Sequence, residues 1–521
     1  MWAAPTPPPR RLRPAVVVAA LLAPVLGTSF APGPLGFLGR PDRPPRPLVE
    51  HSHIAGAEGG TAQHLVVAPA GRGPSGPAAA AIASAATPAG APAPDLTAAG
   101  PAAPGAASAP PAPGLAAAAG TGTAVDAPDP PVPPAAAALA AVIDAHLADP
   151  RLDGTTVGLS VWVDGLGEIS RHGNVPLTPA SNEKLLTAMG VLSLLPQTDT
   201  LVTEVRATGP QDGGALGGDL FLVGGGDPTL HARGPHSLDD LAAAVKARGI
   251  DEVRGALVGD ESRYDHQRGA PGWLPEHVPV YIGPLSALVV ERNQLRPDAD
   301  YAADPLPGDL AYFRAALIRA GVRVDGPNVA GTAPAGSAVL AALPSPPIGD
   351  LVGEMLNQSD NLAAELLVKE VGHHSGGGAP GSTAGGLAAI TAAVQQQLGV
   401  ALAGVAADGS GLSRDDHRSA REWRTLLQSA LARPWAGRLV GSLPLAGRTG
   451  TLTRRFAGTA AEANVRAKTG WIDEARSLSG YLTTAGGRHA VFSVVINGTT
   501  PTSAALNALD GLVAAVAGDR S

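Results

Sequence analysis

Residues 178–195 read TPASNEKLLTAMGVLSLL, a serine-containing turn that leads directly into a helix. Pro179 stands near the first helical position, where its missing N–H removes no hydrogen bond. An apolar face at helical spacing is formed by Leu185, Leu186, Met189, Leu192 and Leu195. Because residues three apart share one side of a helix, the amine of Lys184 can reach the hydroxyl of Ser181.

Lysine is rare in this chain. It occurs at four positions, 184, 246, 369 and 468, although Lys and Arg together number 37. The guanidinium of Arg keeps its proton at accessible pH, whereas the amine of Lys can lose it. A position that holds Lys in this Arg-rich chain is therefore a candidate for a neutral amine. Such an amine can take the proton of a serine nucleophile. For this the pKa of Lys184 has to fall from about 10.4 to between about 7 and 8, through burial and a second cation.

Two further patterns follow in order, Ser359-Asp360-Asn361 and Lys468-Thr469-Gly470. We expect Ser359 and Asn361 on a loop before a helix, where a hydroxyl and an amide face one cleft. The third pattern is predicted on an edge strand, with Gly470 allowing close approach of a substrate backbone. Lys468 and Thr469 suit a substrate carboxylate, and Lys468 is the expected second cation. Together with Ser181 and Lys184, these patterns match the motif set of serine acyl-enzymes that act on penicillins.

The first 134 residues predict export and a flexible connection. Arginines at 10, 11 and 13 precede a short apolar run over 15–27, which is typical of a signal peptide or a short anchor within 1–30. Residues 31–134 are mostly Ala, Pro and Gly, and we expect a disordered tether there. The protein is therefore predicted to be exported to the cell envelope, periplasmic or extracellular. Membrane attachment is expected only if the N-terminal segment is retained.

The remainder predicts an α+β fold with an antiparallel sheet and helices. We expect one part of a catalytic domain over 135–200, a β-rich inserted region over 201–345, and the second catalytic part over 346–521. The predicted strands cover 155–163, 168–171, 201–207, 219–223, 253–258, 286–290, 477–483 and 489–496. The predicted helices begin near 135, 178, 348, 385 and 502.

Composition excludes several classes of protein. The 521 residues include no Cys, so disulfides, thiolate metal sites and cysteine nucleophiles are ruled out. The formal charge is −8 and no block of Lys or Arg follows residue 13, which argues against nucleic acid as a partner. No cofactor and no metal site is indicated.

On these motifs, residues 135–521 resemble the low-molecular-mass class C penicillin-binding proteins, which are D-alanyl-D-alanine carboxypeptidases and endopeptidases. The stretches LVGGGDPTL over 222–230, DGSGLSR over 408–414 and RAKTG over 466–470 are also similar to that family. The resemblance implies a transpeptidase domain of the penicillin-binding and β-lactamase type. The long separation between Ser181 and Ser359 leaves room for an inserted domain.

The resemblance also implies a mechanism on peptidoglycan stem peptides, with β-lactams as inhibitors. Ser181 would attack the D-Ala-D-Ala carbonyl, Lys184 would take its proton, and Ser359 would pass that proton to the leaving amine. The substrate would be held by Asn361, Lys468, Thr469 and Gly470. The backbone N–H groups of Ser181 and Trp471 would form the oxyanion hole. Many relatives carry Thr in place of Trp471, so the side chain there departs from the family.

Other interpretations stay open at this point. A β-lactamase shares the motifs but needs an efficient base for deacylation, and motif positions reveal none. A non-catalytic module that binds the cell wall is the second alternative. A Ser-His-Asp hydrolase could use Ser410 or Ser413 with His417 and Asp415 or Asp416, but these residues crowd one loop and turn chemistry explains them better.

Overall fold

The computed structural model describes residues 128–293, 303–498 and 503–521. The predicted signal segment, 1–30, and most of the predicted tether, 31–134, lie outside the described residues. Ordered contacts begin before residue 135, because the carboxylate of Asp129 accepts hydrogen bonds from the Ser170 hydroxyl and from the amides of His172 and Gly173. Asp129, which the prediction assigns to the tether, therefore makes contacts with the folded part of the chain.

A five-stranded antiparallel sheet is the centre of the catalytic part. Its strands, in spatial order, are Arg466–Ile472, Ala475–Thr483, His489–Gly498, Thr155–Val163 and Gly167–Arg171. The predicted hairpin at 155–171 is present, and Arg466–Ile472, called the edge strand below, has a sheet neighbour on one side only. This is the place that the sequence predicts for Lys468-Thr469-Gly470.

Helices cover both faces of this sheet. Along His489–Gly498, Val491 and Val495 enter the apolar core of one face, while Phe492 and Val494 enter the core of the other. Ala137–Leu147 and Ser503–Ala517 pack against the second face. The first face carries Glu183–Leu194, Ile348–Gln358, Asn361–Ser375, Thr383–Leu398, Ala420–Ala430 and Ala436–Ser442. Strand alternation thus accounts for the layered α+β architecture.

The inserted region contains two small sheets and a core of its own. One sheet has the spatial order Asn328–Ala330, Leu257–Asp260, Leu220–Val223, Val202–Ala207 and Ala338–Pro344. The other has the order Arg323–Val324, Glu252–Val253, Ala215–Leu216 and Gln211–Asp212. Two helices, Leu238–Ala247 and Leu306–Arg319, pack into the same core. The β-rich prediction did not include these helices.

The strand predicted over 286–290 is wrong. The segment is a loop with bends whose side chains alternate between two cores, with Leu288 and Val290 in one and Ala287 and Val289 in the other. The Ala287 carbonyl accepts a hydrogen bond from the Gly226 amide, and the hydroxyl of Ser286 accepts one from the Leu288 amide, but the segment does not belong to a sheet. The strand predicted over 253–258 is likewise divided, with Glu252–Val253 and Leu257–Asp260 in different sheets.

The second motif interrupts what would otherwise be one long helix. Ile348–Gln358 ends at Ser359, whose φ of 63° is left-handed, and Asn361–Ser375, called the second-motif helix below, starts just after it. Asp360 caps the new helix, because its carboxylate accepts a hydrogen bond from the Ala363 amide at 3.1 Å. Among the residues that the structure describes, no helix has both the length and the apolar character needed to cross a membrane.

Candidate active site

Ser181 lies in a 3-10 turn, Ala180–Asn182, that runs directly into the helix Glu183–Leu194. The Nζ atom of Lys184 is 3.1 Å from the Ser181 Oγ atom, which is the predicted juxtaposition. Lys184 is fully buried, while Ser181 is partly accessible to solvent. The hydroxyl can therefore meet a substrate while the amine beside it is shielded from water.

Lys184 has two further partners, and their chemistry favours the neutral amine. Its Nζ donates to the Asn361 Oδ1 atom at 2.7 Å and to the backbone carbonyl of Ser410 at 2.6 Å. A neutral amine has two N–H groups and one lone pair. These two oxygens use both N–H groups, so the lone pair is left for the hydroxyl of Ser181.

Electrostatics act in the same direction. Burial lowers the pKa of Lys184 to about 8, although the carboxylates of Asp408 and Glu365 act to raise it. Burial, followed by repulsion from Lys184, holds the pKa of Lys468 well below its ordinary value. The sequence predicts burial and a second cation as joint causes. Burial is the larger cause, and the repulsion between the amines is seen at Lys468.

Ser359 and Lys468 form the second half of the cleft. The Nζ atom of Lys468 donates to the Ser359 Oγ atom at 2.9 Å and to the backbone carbonyl of Thr469 at 2.7 Å. The Thr469 hydroxyl lies 2.8 Å from the hydroxyl of Thr451. The predicted residues of all three motifs are thus brought together, with Asn361 in contact with Lys184 and Ser359 in contact with Lys468.

Gly470 has a packing role in the structure. A Cβ atom added there would clash with the hydroxyl of Ser477 on the neighbouring strand and would lie 2.6 Å from the carbonyl oxygen of Pro179 and 3.1 Å from the Ala180 side chain. The glycine therefore lets the edge strand pack against the turn that carries Ser181. Close approach of a substrate backbone, the reason suggested by the sequence, stays a prediction.

Trp471 follows on the same strand and points to solvent. Its side chain is 61% exposed, and the Arg476 guanidinium lies 3.9 Å from its ring centroid. Such stacking of a guanidinium on an indole holds the ring in one orientation. The backbone N–H of Trp471 is the predicted oxyanion donor, and its side chain stacks on Arg476.

Sequence reasoning missed the contribution of residues 408–413. The buried Asp408 carboxylate accepts from the amides of Ser410, Gly411 and Ser413 and from the Trp273 indole. It thereby fixes the loop that offers the Ser410 carbonyl to Lys184. The sequence predicts a turn and a family signature in the stretch DGSGLSR, but it does not indicate that this loop contacts Lys184.

The same loop packs directly against the backbone next to Ser181. Any side chain at Gly411, whose φ is 80°, would clash with the carbonyl oxygen of Ala180 and would come within 2.9 Å of the Ser181 amide nitrogen. Ala180 itself has a left-handed φ of 48°, which is a strained value for a residue with a side chain. Packing of the loop against this turn helps to hold the strained conformation next to the nucleophile.

The Ser-His-Asp alternative receives no support from the geometry. The Ser410 hydroxyl donates to Asp408, and the hydroxyl of Ser413 accepts from the amide of Asp415. The imidazole Nδ1 atom of His417 bonds to the backbone carbonyl of Asp415 rather than to either serine. These residues make the hydrogen bonds of a turn, as the sequence interpretation favoured.

The profile of the D-Ala-D-Ala carboxypeptidase 3 (S13) family matches residues 139–309 and 304–518. The chain belongs to this family. The D-alanyl-D-alanine carboxypeptidase of Actinomadura sp. (strain R39) is 34% identical over 68% of this chain and 80% of the relative. Carboxypeptidase DacB of Mycolicibacterium smegmatis is 30% identical, with 72% and 83% covered.

Solved structures agree on the fold. Penicillin-binding protein 4 (dacB) from Haemophilus influenzae superposes with a TM-score of 0.66 at 21% identity, covering 72% of this chain and 99% of that protein. The same protein complexed with a β-lactam gives a TM-score of 0.60. The predicted fold class and the predicted membership among class C penicillin-binding proteins are confirmed, as is the enzyme class, a serine-type D-Ala-D-Ala carboxypeptidase.

Proposed function

We propose that this protein cleaves the D-Ala-D-Ala terminus of peptidoglycan stem peptides through an acyl-enzyme on Ser181. The observation that carries the proposal is the placement of the buried Lys184 amine 3.1 Å from the Ser181 hydroxyl, with two neutral oxygens on its other side. A buried amine with neutral partners is suited to exist without its proton, and only then can it act as a base.

In the first step the Ser181 oxygen attacks the carbonyl carbon of the penultimate D-Ala, and its proton passes to Lys184. The peptide C–N bond then breaks, and the proton held by Lys184 passes through the Ser359 hydroxyl to the leaving D-Ala amine, which returns Lys184 to its neutral form. The 2.9 Å contact with the Lys468 amine supports a fixed orientation of the Ser359 hydroxyl in this relay. In the second step water attacks the ester. Its hydroxyl joins the acyl carbon and its other proton goes to the Ser181 oxygen, which releases the shortened peptide and restores the serine.

The oxyanion formed in each step needs donors that are already in place. We assign this role to the backbone N–H groups of Ser181 and Trp471. Loss of one such donor costs about 3 to 4 kcal/mol of transition-state stabilisation in other enzymes. Packing of Gly470 against Pro179 brings the two chain segments that carry these donors side by side.

The remaining residues recognise the substrate. Lys468 and Thr469 supply a cation and a hydroxyl for the terminal carboxylate. The Asn361 side-chain nitrogen donates one hydrogen to the backbone carbonyl of Tyr281, at 3.1 Å. An amide nitrogen has two hydrogens, so the second is available for a carbonyl of the stem peptide. Tyr281 belongs to the inserted region and was not among the residues predicted from the sequence.

Labelling with fluorescent penicillin tests the proposal. We expect the full chain to form a stable covalent adduct that peptide mapping locates on Ser181, and to release D-Ala from a peptide that ends in D-Ala-D-Ala. Ser181→Ala should abolish both. Rapid turnover of penicillin would instead identify a β-lactamase, and the absence of both labelling and D-Ala release would identify a non-catalytic wall-binding protein.

The same substrate argues for a place of action. Peptidoglycan lies outside the cytoplasmic membrane, so we infer that the protein works in the cell envelope after export. Fractionation of cells that produce the full chain tests this inference. Recovery of the penicillin-labelled protein in the cytoplasm alone would contradict it. Recovery in the membrane fraction would indicate that the N-terminal segment is retained as an anchor.

A further inference from the structure

A strained turn in the inserted region reaches the catalytic cleft. Glu291, Arg292 and Asn293 have φ values of 47°, 59° and 59°. None of the three is glycine, and the left-handed conformation is unfavourable for Glu and Arg in particular. Three consecutive residues of this kind persist only where their surroundings hold them in place, and such strain is concentrated at functional positions.

Both ends of this turn are held by side-chain hydrogen bonds. The Glu291 carboxylate accepts from the Ala232 amide at 2.8 Å. The Asn293 side chain is buried and donates to the carbonyl oxygen of Pro284 at 2.7 Å. Arg292 therefore stands between two fixed neighbours, which directs its guanidinium away from the inserted region's own core.

The Arg292 guanidinium forms an ion pair with Asp360, the middle residue of the second motif. Its Nη1 and Nη2 atoms donate to the two carboxylate oxygens of Asp360 at 2.8 and 2.7 Å, in the bidentate geometry that orients a carboxylate most strongly. Burial acts to raise the pKa of Asp360, but the ion pair with Arg292 and the hydrogen bond from the Ala363 amide act together to keep that pKa below its ordinary value. Asp360 is thus held as a charged, oriented carboxylate.

Asp360 is the residue between two groups of the proposed mechanism. On one side the Ser359 hydroxyl faces Lys468, and on the other the Asn361 amide oxygen faces Lys184. A rotation of the peptide units around Asp360 would move both groups at once. Ser359 is itself left-handed, with a φ of 63°, so this turn needs an external restraint.

We propose that Arg292 is a positioning residue, which acts through its bidentate pair with Asp360 to hold Ser359 and Asn361 against the two lysines of the cleft. A second contact supports this role for the inserted region, since the Tyr281 carbonyl fixes the orientation of the Asn361 amide. The inference rests on the proposed function, because it assigns to Arg292 an effect on acylation of Ser181.

Arg292→Ala tests the inference by the rate constant for acylation with fluorescent penicillin. We expect a loss between about tenfold and 100-fold, the scale on which small misplacements of catalytic groups act. Arg292→Lys keeps the positive charge but cannot form the bidentate pair with Asp360, so it should retain only part of the wild-type acylation rate. Arg319→Ala is the matched control, because Arg319 also pairs with an aspartate of the inserted region, Asp239, far from the motifs in sequence. Its acylation rate should stay within twofold.

A double-mutant cycle separates positioning from general stabilisation. Asp360→Asn keeps a side chain able to cap the second-motif helix. If Arg292 acts through Asp360, Arg292→Ala should cost little further acylation in the Asp360→Asn background, at a temperature where thermal unfolding shows every variant to be folded. Equal losses in both backgrounds, or unchanged acylation of Arg292→Ala, would overturn the inference. Failure of the wild-type chain to be labelled would instead overturn the proposed function.

Discussion

The protonation state of Lys184 controls the rate of acylation if the proposed mechanism holds. Burial lowers the pKa of this amine to about 8. About one molecule in ten then holds the neutral amine at pH 7, and about nine in ten at pH 9. The acylation rate constant should therefore rise about tenfold between pH 7 and pH 9, and should fall about tenfold for each pH unit below 7.

Lys184→Arg removes this dependence by removing the base. A guanidinium keeps the charge and much of the bulk, but fewer than about one in 100,000 is neutral at pH 7. Loss of a general base costs about 100-fold to 10,000-fold in rate, and we expect acylation to slow by that factor. Lys246→Arg is the matched control, because that lysine is partly exposed and pairs with Asp251. Its acylation should equal that of the wild type.

The measurement is stopped-flow acylation at saturating fluorescent penicillin, from pH 6 to pH 9. Saturation removes the contribution of carboxylate binding by Lys468, whose pKa burial also lowers. Because the two amines interact, an observed pKa belongs to the pair. A flat pH profile for the wild type, or acylation of Lys184→Arg within tenfold of it, would refute Lys184 as the base.

Two other substitutions test the packing behind the site. Gly470→Ala places a Cβ atom 2.6 Å from the Pro179 carbonyl oxygen, so the acylation rate should fall about tenfold or more. Gly437→Ala is the control: its added Cβ atom has no atom within 4 Å, and the stopped-flow acylation rate should stay unchanged. Burial raises the pKa of Glu365 from 4.5 to about 8. Between these two pH values the folded state holds a proton that the unfolded state releases. The contribution of this group to the free energy of unfolding is therefore fully present below pH 4.5 and is lost as the pH rises through 8. Glu365→Gln keeps an oxygen for the Gly409 amide, and urea unfolding should show a smaller loss of unfolding free energy between pH 5 and pH 9 than in the wild type; an equal loss would contradict this.

The sequence pattern predicts those parts of the fold that depend on residues close together in the chain, such as strand alternation and turn residues. The strand 155–163 alternates apolar and polar residues and ends at turn residues, and its observed bounds are the predicted ones. The edge position of Lys468 and a loop at Ser359 before a helix were also expected, although Asn361 is the first residue of that helix rather than part of the loop. In each case the signal lies within about ten residues of the feature.

Features set by distant partners were not predictable in this way. The alternation over 286–290 is real, but it reflects two cores on either side of a loop rather than a pleated strand. Asp408 serves the site because its loop packs against Ala180, more than 200 positions earlier in the chain. Arg292 matters through Asp360, and no spacing rule connects an arginine in the inserted region with a carboxylate in the second motif.

The four lysines show why composition alone cannot identify a base. Lys184, Lys369 and Lys468 are all fully buried, so burial does not distinguish the catalytic amines from the third. Lys369 forms an ion pair with the carboxylate of Asp265, a partner that stabilises an ammonium. The hydrogen-bond partners of Lys184 are a hydroxyl, an amide oxygen and a peptide carbonyl, none of which carries a charge. Scarcity of lysine therefore narrows the search to a few positions, and the charge of the contacting oxygen decides which buried amine can give up its proton.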